Sequence, residues 1–229
     1  SRVPRGENRA VVLAVARHRL LSLEQLKRSL FPGRTIQAVG QRTGRLCAEG
    51  WLRTWDQPVA PGGRPRYVLP TTRAHRWAYH ELRAATHGTP AATLVQTMLP
   101  ARPPMPLTLE PGVTPPFFQH QKEANDLAIS VATEAGLPLR WCSTWERPFP
   151  VQAGGITLPQ PDAVFLVDLP SGPRLICLEH DRGMEPVRHF HRTKTERYAD
   201  LLVRPELCTQ LFGTSALEVW VSVLDARER

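Results

Sequence analysis

The stretch PARPPMPLTLEPGVTPP, residues 100–116, holds seven prolines in seventeen positions. Proline fixes φ and has no backbone N–H, so neither a helix nor a central strand can run through such a stretch. It reads as an extended linker that cuts the 229-residue chain in two. The expected plan is a first domain over 1–88, a proline-rich linker over 89–116 and a second domain over 117–229.

Charge divides at the same place. Residues 1–100 carry 16 Lys and Arg against 5 Asp and Glu, whereas the residues after them carry 13 against 16. All but one of the first sixteen are Arg. This asymmetry points to a nucleic-acid-binding half joined to a more acidic half, against the plainer reading of a solvated basic surface. No apolar run approaches the roughly 18 residues of a membrane span, and no basic-then-apolar leader opens the chain. Cys47, Cys142, Cys177 and Cys208 lie far apart and form no C-x-x-C pair, which fits free thiols in a reducing cytoplasm. No membrane partner and a cytoplasmic location are therefore expected.

The first half shows three helical patterns. One covers about 7–19, with Val11, Val12, Val15 and Ala16 on a single face. The next begins after Ser22, a good N-cap, carries Leu23, Leu26 and Leu30 as its stripe, and stops at Pro32-Gly33. The third begins near Thr35, with Ile36, Val39, Leu46 and Cys47 expected inward. At about 100° per residue, Gln37, Gln41 and Arg45 then fall on the opposite face. Gln and Arg are side chains that pair bidentately with adenine and guanine edges.

Two strands follow, one with Trp51, Leu52 and Trp55, its return with Tyr67, Val68 and Leu69. Pro61-Gly62-Gly63 forms the tip, followed by Arg64 and Arg66. Three helices and a basic-tipped hairpin resemble a winged helix-turn-helix domain. The resemblance implies that the third helix enters the major groove of double-stranded DNA. Gln37, Gln41 and Arg45 would read bases, while Arg34, Arg42, Arg64 and Arg66 would hold phosphate. The other use of such a fold is protein contact alone. A further helix over 71–88 reads as a brace or dimerisation helix, with Trp77 packed back on the domain.

The second half reads α-β-β-β-α-β. A helix containing FFQHQKEANDLAISVATEAG precedes strands in LPLRWCSTWERPF, DAVFLVDL and RLICLEHD; a helix over 185–203 and the strand ALEVWVSVL follow. The fold class is α+β. The second and third strands form a hairpin through Pro-Ser-Gly-Pro. Asp162 opens one strand, and Glu179 and Asp181 close the other. These acids are either solvated strand ends, or members of a salt bridge with Arg182 or Lys194, or ligands of a metal. Two like charges on one strand face repel unless a cation stands between them.

This order resembles the PD-(D/E)XK nuclease fold. Pro161-Asp162 stands for its PD and Glu179-His180-Asp181 for its (D/E)XK, with Asp in the lysine position. The resemblance implies Mg²⁺ or Mn²⁺ held by Asp162, Glu179 and Asp181, activating a water against a scissile phosphate. Lys194 and Tyr198, at i and i+4, resemble the Gln-x-x-x-Tyr helix of one group of those nucleases. Lys194 would replace the missing lysine, with Asp162, Glu179, Lys194 and Tyr198 the catalytic set and His120 or Glu123 at the rim. His189 and His191 read as surface or phosphate contacts.

Over most of its length the chain also resembles the replication-relaxation family of plasmids and other mobile elements. The residues that carry this likeness are HQKEAND, then Glu179, Asp181, Arg182, Gly183 and Glu185, then Lys194 and Tyr198. The family likeness implies a DNA-binding protein of replication or mobilisation. Its expected partners are double-stranded DNA, replication or mobilisation proteins and a second copy of the chain. The competing reading is a metal-dependent endonuclease directed by its own winged helix.

Overall fold

Thr35 and Ser22 decide where two of the first three helices begin. In the computed structural model, Ser22 Oγ accepts from the Gln25 backbone N–H at 3.1 Å, and Gln25 Oε1 accepts from the Ser22 N–H at 2.8 Å. This reciprocal capping box satisfies two N–H groups that the first turn leaves over. Thr35 Oγ1 likewise accepts from the Ala38 N–H at 3.2 Å. The structure describes residues 3–58, 65–89, 91–98, 109, 115–134, 136–145, 147–181 and 187–223.

The chain gathers into two compact units: Ser1–Leu82 with Pro103–Gly136, and Arg83–Arg102 with Leu137–Arg229. In the first, α1 (Gly6–His18), β1 (Leu21–Ser22), α2 (Leu23–Leu30) and α3 (Ile36–Ala48) precede β2 (Leu52–Asp56), β3 (Arg66–Pro70) and α4 (Thr72–Thr86). The sheet is antiparallel in the order β1-β3-β2, with Trp55 facing Tyr67 across β2 and β3. Val11, Val12 and Val15 from α1, Leu26 from α2, Val39 and Leu46 from α3, and Trp51, Leu52 and Val68 form the core. Trp77 packs edge-on to Trp51 at 5.5 Å, as expected from the sequence.

A further helix, numbered α6 (Pro116–Glu134), also belongs to this unit. Its Phe118 lies 4.9 Å from the Trp55 ring and 4.8 Å from the Tyr67 ring, and its Ile129 joins the core. The fully buried Asn125 Nδ2 donates to the carbonyls of Leu20 at 2.6 Å and His18 at 3.2 Å. Arg28 of α2 donates to Ser130 Oγ at 2.7 Å. The division expected at residue 117 assigned this helix to the second half. Its apolar positions match the first-half core instead.

The second unit contains α5 (Ala91–Met98), β4 (Leu139–Ser143), a small hairpin of β5 (Gln152–Ala153) and β6 (Ile156–Thr157), β7 (Ala163–Leu169) and β8 (Gly172–Asp181). After β8 come α7 (Val187–Phe190), a π-helical turn His191–Thr195, α8 (Glu196–Leu202), α9 (Pro205–Phe212) and β9 (Leu217–Val223). The four-stranded sheet runs β4-β7-β8-β9, antiparallel except for the parallel pair β8 and β9. Gly172, at φ +110°, closes the β7–β8 turn where the sequence sets Pro-Ser-Gly-Pro.

The expected linker over 89–116 is not uniformly extended. Ala91, Leu94, Val95 and Met98 of α5 are buried, and Thr97 Oγ1 donates to the Leu211 carbonyl near the end of α9. Leu109 is buried with Trp55, Tyr67 and Phe118 of the first unit. The single helix expected over 185–203 is instead α7, a π turn and α8. The β5–β6 hairpin and α9 carry too short an apolar pattern to stand out in the sequence. Among the described residues no helix is long and apolar enough to cross a membrane.

Candidate functional site

Alternation along β8 puts Cys177, Glu179 and Asp181 on one face. The β7–β8 register pairs Ala163 with Leu178, so the opening of β7 meets the end of β8. Asp162 is pinned there twice. Its backbone N–H donates to the Leu178 carbonyl at 2.9 Å, and its Oδ2 accepts from the His180 backbone N–H at 2.8 Å. These bonds bracket Glu179, whose side chain is only 2% exposed.

The helical return supplies both partners of that carboxylate. Lys194 Nζ donates to Glu179 Oε2 at 2.5 Å and to the Gln160 carbonyl at 3.0 Å. Tyr198 Oη donates to Glu179 Oε1 at 2.6 Å. Lys194 sits in the π turn and Tyr198 in α8, so the i, i+4 relation read from the sequence brings both to one carboxylate. Burial pushes the Glu179 pKa up to about 7; Lys194 pulls it down and Asp162 pushes it up. Burial likewise holds the Tyr198 phenol well above its ordinary range, helped by nearby Cys177 and Glu179. Tyr198 is therefore a neutral donor and Glu179 a carboxyl that titrates near neutrality.

Lys194 and Tyr198 thus meet on the Glu179 carboxylate, with Asp162 held on the neighbouring His180 N–H. Asp181, two residues on, is half-buried at the strand end. His120 and Glu123, expected at the rim, stand on α6 of the first unit, where Gln119 donates to Glu123 Oε1 at 2.6 Å. Arg182, Gly183 and Glu185 lie outside the described residues, as do the side chains of His189 and His191. The Gln160 carbonyl escaped sequence reasoning because every residue has one. Cys177 lay in view, two positions before Glu179 on the same face.

In the first unit, α3 buries Val39, Thr43 and Leu46 and exposes Gln37, Gln41 and Arg45. The side chains of these three make no hydrogen bond or ion pair among the described residues. Ile36, expected inward, is 38% exposed: three positions before Val39 it lies about 60° around the helix, at the rim of the buried face. Arg34 is exposed on the loop before α3. Arg42 is tied to α1, donating to Asn8 Oδ1 at 2.8 Å and pairing with Glu7, with Phe31 beneath it. Arg66 pairs with Asp56 across the strands at 2.9 Å, and Arg64 lies outside the described residues.

A family model described as Replication-relaxation matches residues 13–211. The chain belongs to the replication-relaxation family. No curated protein and no solved structure matches it. The replication-relaxation match runs from inside α1 to inside α9 and so takes in both α3 and the Glu179 cluster. Membership in the family points to a replication-associated role.

The nuclease resemblance read from the sequence raises the question of a divalent ion. Asp162 and Glu179 are hard oxygen donors of the kind Mg²⁺ and Mn²⁺ take. Yet Glu179 is buried, each of its oxygens already accepts a hydrogen bond, and the Lys194 ammonium occupies the side of Oε2 that a cation would share. Among the described residues no three His, Cys, Asp or Glu side chains converge to hold a metal. In this arrangement the donor set does not fit a metal centre; Lys194 supplies the neutralising charge instead.

Proposed function

We propose that this chain is a DNA-binding protein of replication or mobilisation, with a first unit that is a winged helix-turn-helix and reads duplex DNA through α3. The observation that carries the reading is the row Gln37, Gln41 and Arg45: three side chains of base-reading type, exposed and unengaged within the described fold, opposite a packed face. The α1-β1-α2-α3-β2-β3 order and the excess of Arg before residue 100 support it. Arg34, Arg64 and Arg66 are the phosphate contacts. Arg42 serves mainly to hold α3 against α1, as its partners Glu7 and Asn8 indicate.

The test is fluorescence anisotropy of the full chain on duplex DNA across a salt series. Affinity should fall steeply with salt. Replacing Arg64 and Arg66 with Gln should lower the slope by about one for each lost phosphate contact. Replacing Gln41 and Arg45 with Ala should instead cost about 1–3 kcal/mol per lost base contact on a selected site. Binding that is absent or indifferent to salt overturns the reading.

For the second unit, we read the sheet β4-β7-β8-β9 and its helical return as a PD-(D/E)XK-like scaffold. Its Glu179, Lys194 and Tyr198 brace the fold, and its outer surfaces are free for replication or mobilisation proteins or a second copy. Asp162 beside Glu179 is the one observation favouring the endonuclease alternative. Supercoiled plasmid incubated with Mg²⁺ or Mn²⁺ should be nicked no faster by the native chain than by Asp162→Ala or Glu179→Ala. Nicking that those two substitutions abolish would establish the endonuclease instead.

A further inference from the structure

One position beside the Gln-Arg row on the exposed face of α3 is bare. Gly44 follows Gln37 by seven residues and Gln41 by three, which places it within about 20° of the first and 60° of the second around the helix. Arg45 is its neighbour in sequence, and the exposed Ala48 lies one turn further on. A glycine inside a helix weakens it relative to alanine, because the unfolded chain gains freedom and no side chain covers the backbone. Two internal causes can require it nonetheless: a left-handed backbone, or a neighbour that a Cβ would strike. Gly44 has neither. It is not among the positive-φ glycines, and a Cβ built on it would meet no atom within 4 Å. Gly40, four residues earlier, differs, because a Cβ there would touch Leu23 Cδ1 at 3.6 Å.

We infer that Gly44 is the point of closest approach between α3 and duplex DNA, and that its missing Cβ sets how deeply the helix enters the groove. The inference rests on the DNA-binding reading above. A helix with its side chains is about 10–12 Å across, and the major groove is about 12 Å wide. A methyl group added at Gly44, on the inserted face, therefore holds the helix back. Gln37, Gln41 and Arg45, which follow Gly44 around one side of the helix at about 20°, 60° and 100°, then lose reach to the base edges together. Gly44 is a positioning residue for all three.

The experiment uses the full chain and duplexes that it selects from a random pool. Gly44→Ala should raise Tm by about 2–4 °C while weakening binding to the selected duplex at least about fivefold, the value of one base contact. Gly44→Leu should weaken it further. If native protein binds and Gly44→Ala binds equally well or better, the inference is wrong and the DNA-binding reading stands. If Gly44→Ala loses affinity and Tm together, the glycine serves the fold, and the inference is again wrong. If the native chain selects no duplex and shows no salt-dependent binding, both readings go.

Discussion

Glu179 is a carboxyl group held away from water with one ammonium and one phenol as partners. Removing either partner strands it. Above pH 7, where Glu179 is ionised, Lys194→Met should destabilise the fold by about 3–5 kcal/mol, since a buried carboxylate without its cation is far costlier than the pair. Tyr198→Phe, which leaves one buried oxygen unmet, should cost about 1–3 kcal/mol in denaturant unfolding. The group also imposes a pH dependence. Its pKa stands near 7 when folded against an ordinary 4.5, so the folded state holds a proton that the unfolded chain gives up. That stability is complete below pH 4.5 and disappears as pH rises through 7. The difference in unfolding free energy between native protein and Glu179→Gln should therefore shift by about 3 kcal/mol across this window. A difference that does not change with pH would show Glu179 ionised throughout. The sequence made this group findable, because a carboxylate at a strand end and a Lys-x-x-x-Tyr helix are both local patterns. It did not reveal the balance of burial against charge, which depends on how completely the helix covers the strand.

At the scale of elements, the clearest sequence signals were those with a local cause. Ser22 and Thr35 cap α2 and α3 because their hydroxyls meet N–H groups three residues on, a relation the sequence contains in full. Ser22→Ala should cost about 1 kcal/mol and lower Tm by about 2–4 °C, checked by thermal melts of the full chain. The strand pair β7 and β8 was equally plain, from two apolar runs around a proline-glycine turn. The helix after β8 was legible only as an outline. Its π turn holds Lys194, and a π turn follows from tertiary fit at a functional or strained position, not from propensity. The membership of α6 was misread for a related reason. The apolar pattern of a helix says that one face is buried and does not say against what. The prolines ahead of it suggested a boundary that Phe118, Asn125 and Ile129 cross.

At the scale of the whole molecule, the chain contributes to the first unit, then the second, then the first again, then the second. A fragment ending at residue 88 lacks Phe118 and Ile129, each worth roughly 1.5–3 kcal/mol of burial, along with the Asn125 amide that satisfies the turn after α1. Residues 1–88 should thus melt earlier and less cooperatively than residues 1–136 when followed by circular dichroism; equal melts would show α6 to be dispensable. The proline run between α5 and α6 is where the sequence invites a genetic exchange that joins a new first unit to an old second one. Because α6 lies beyond that run and completes the core before it, a crossover there would deliver a head unit with its hydrophobic interior open. A viable exchange has to carry the chain through residue 136, so the helix on the far side of the prolines is inherited with the head.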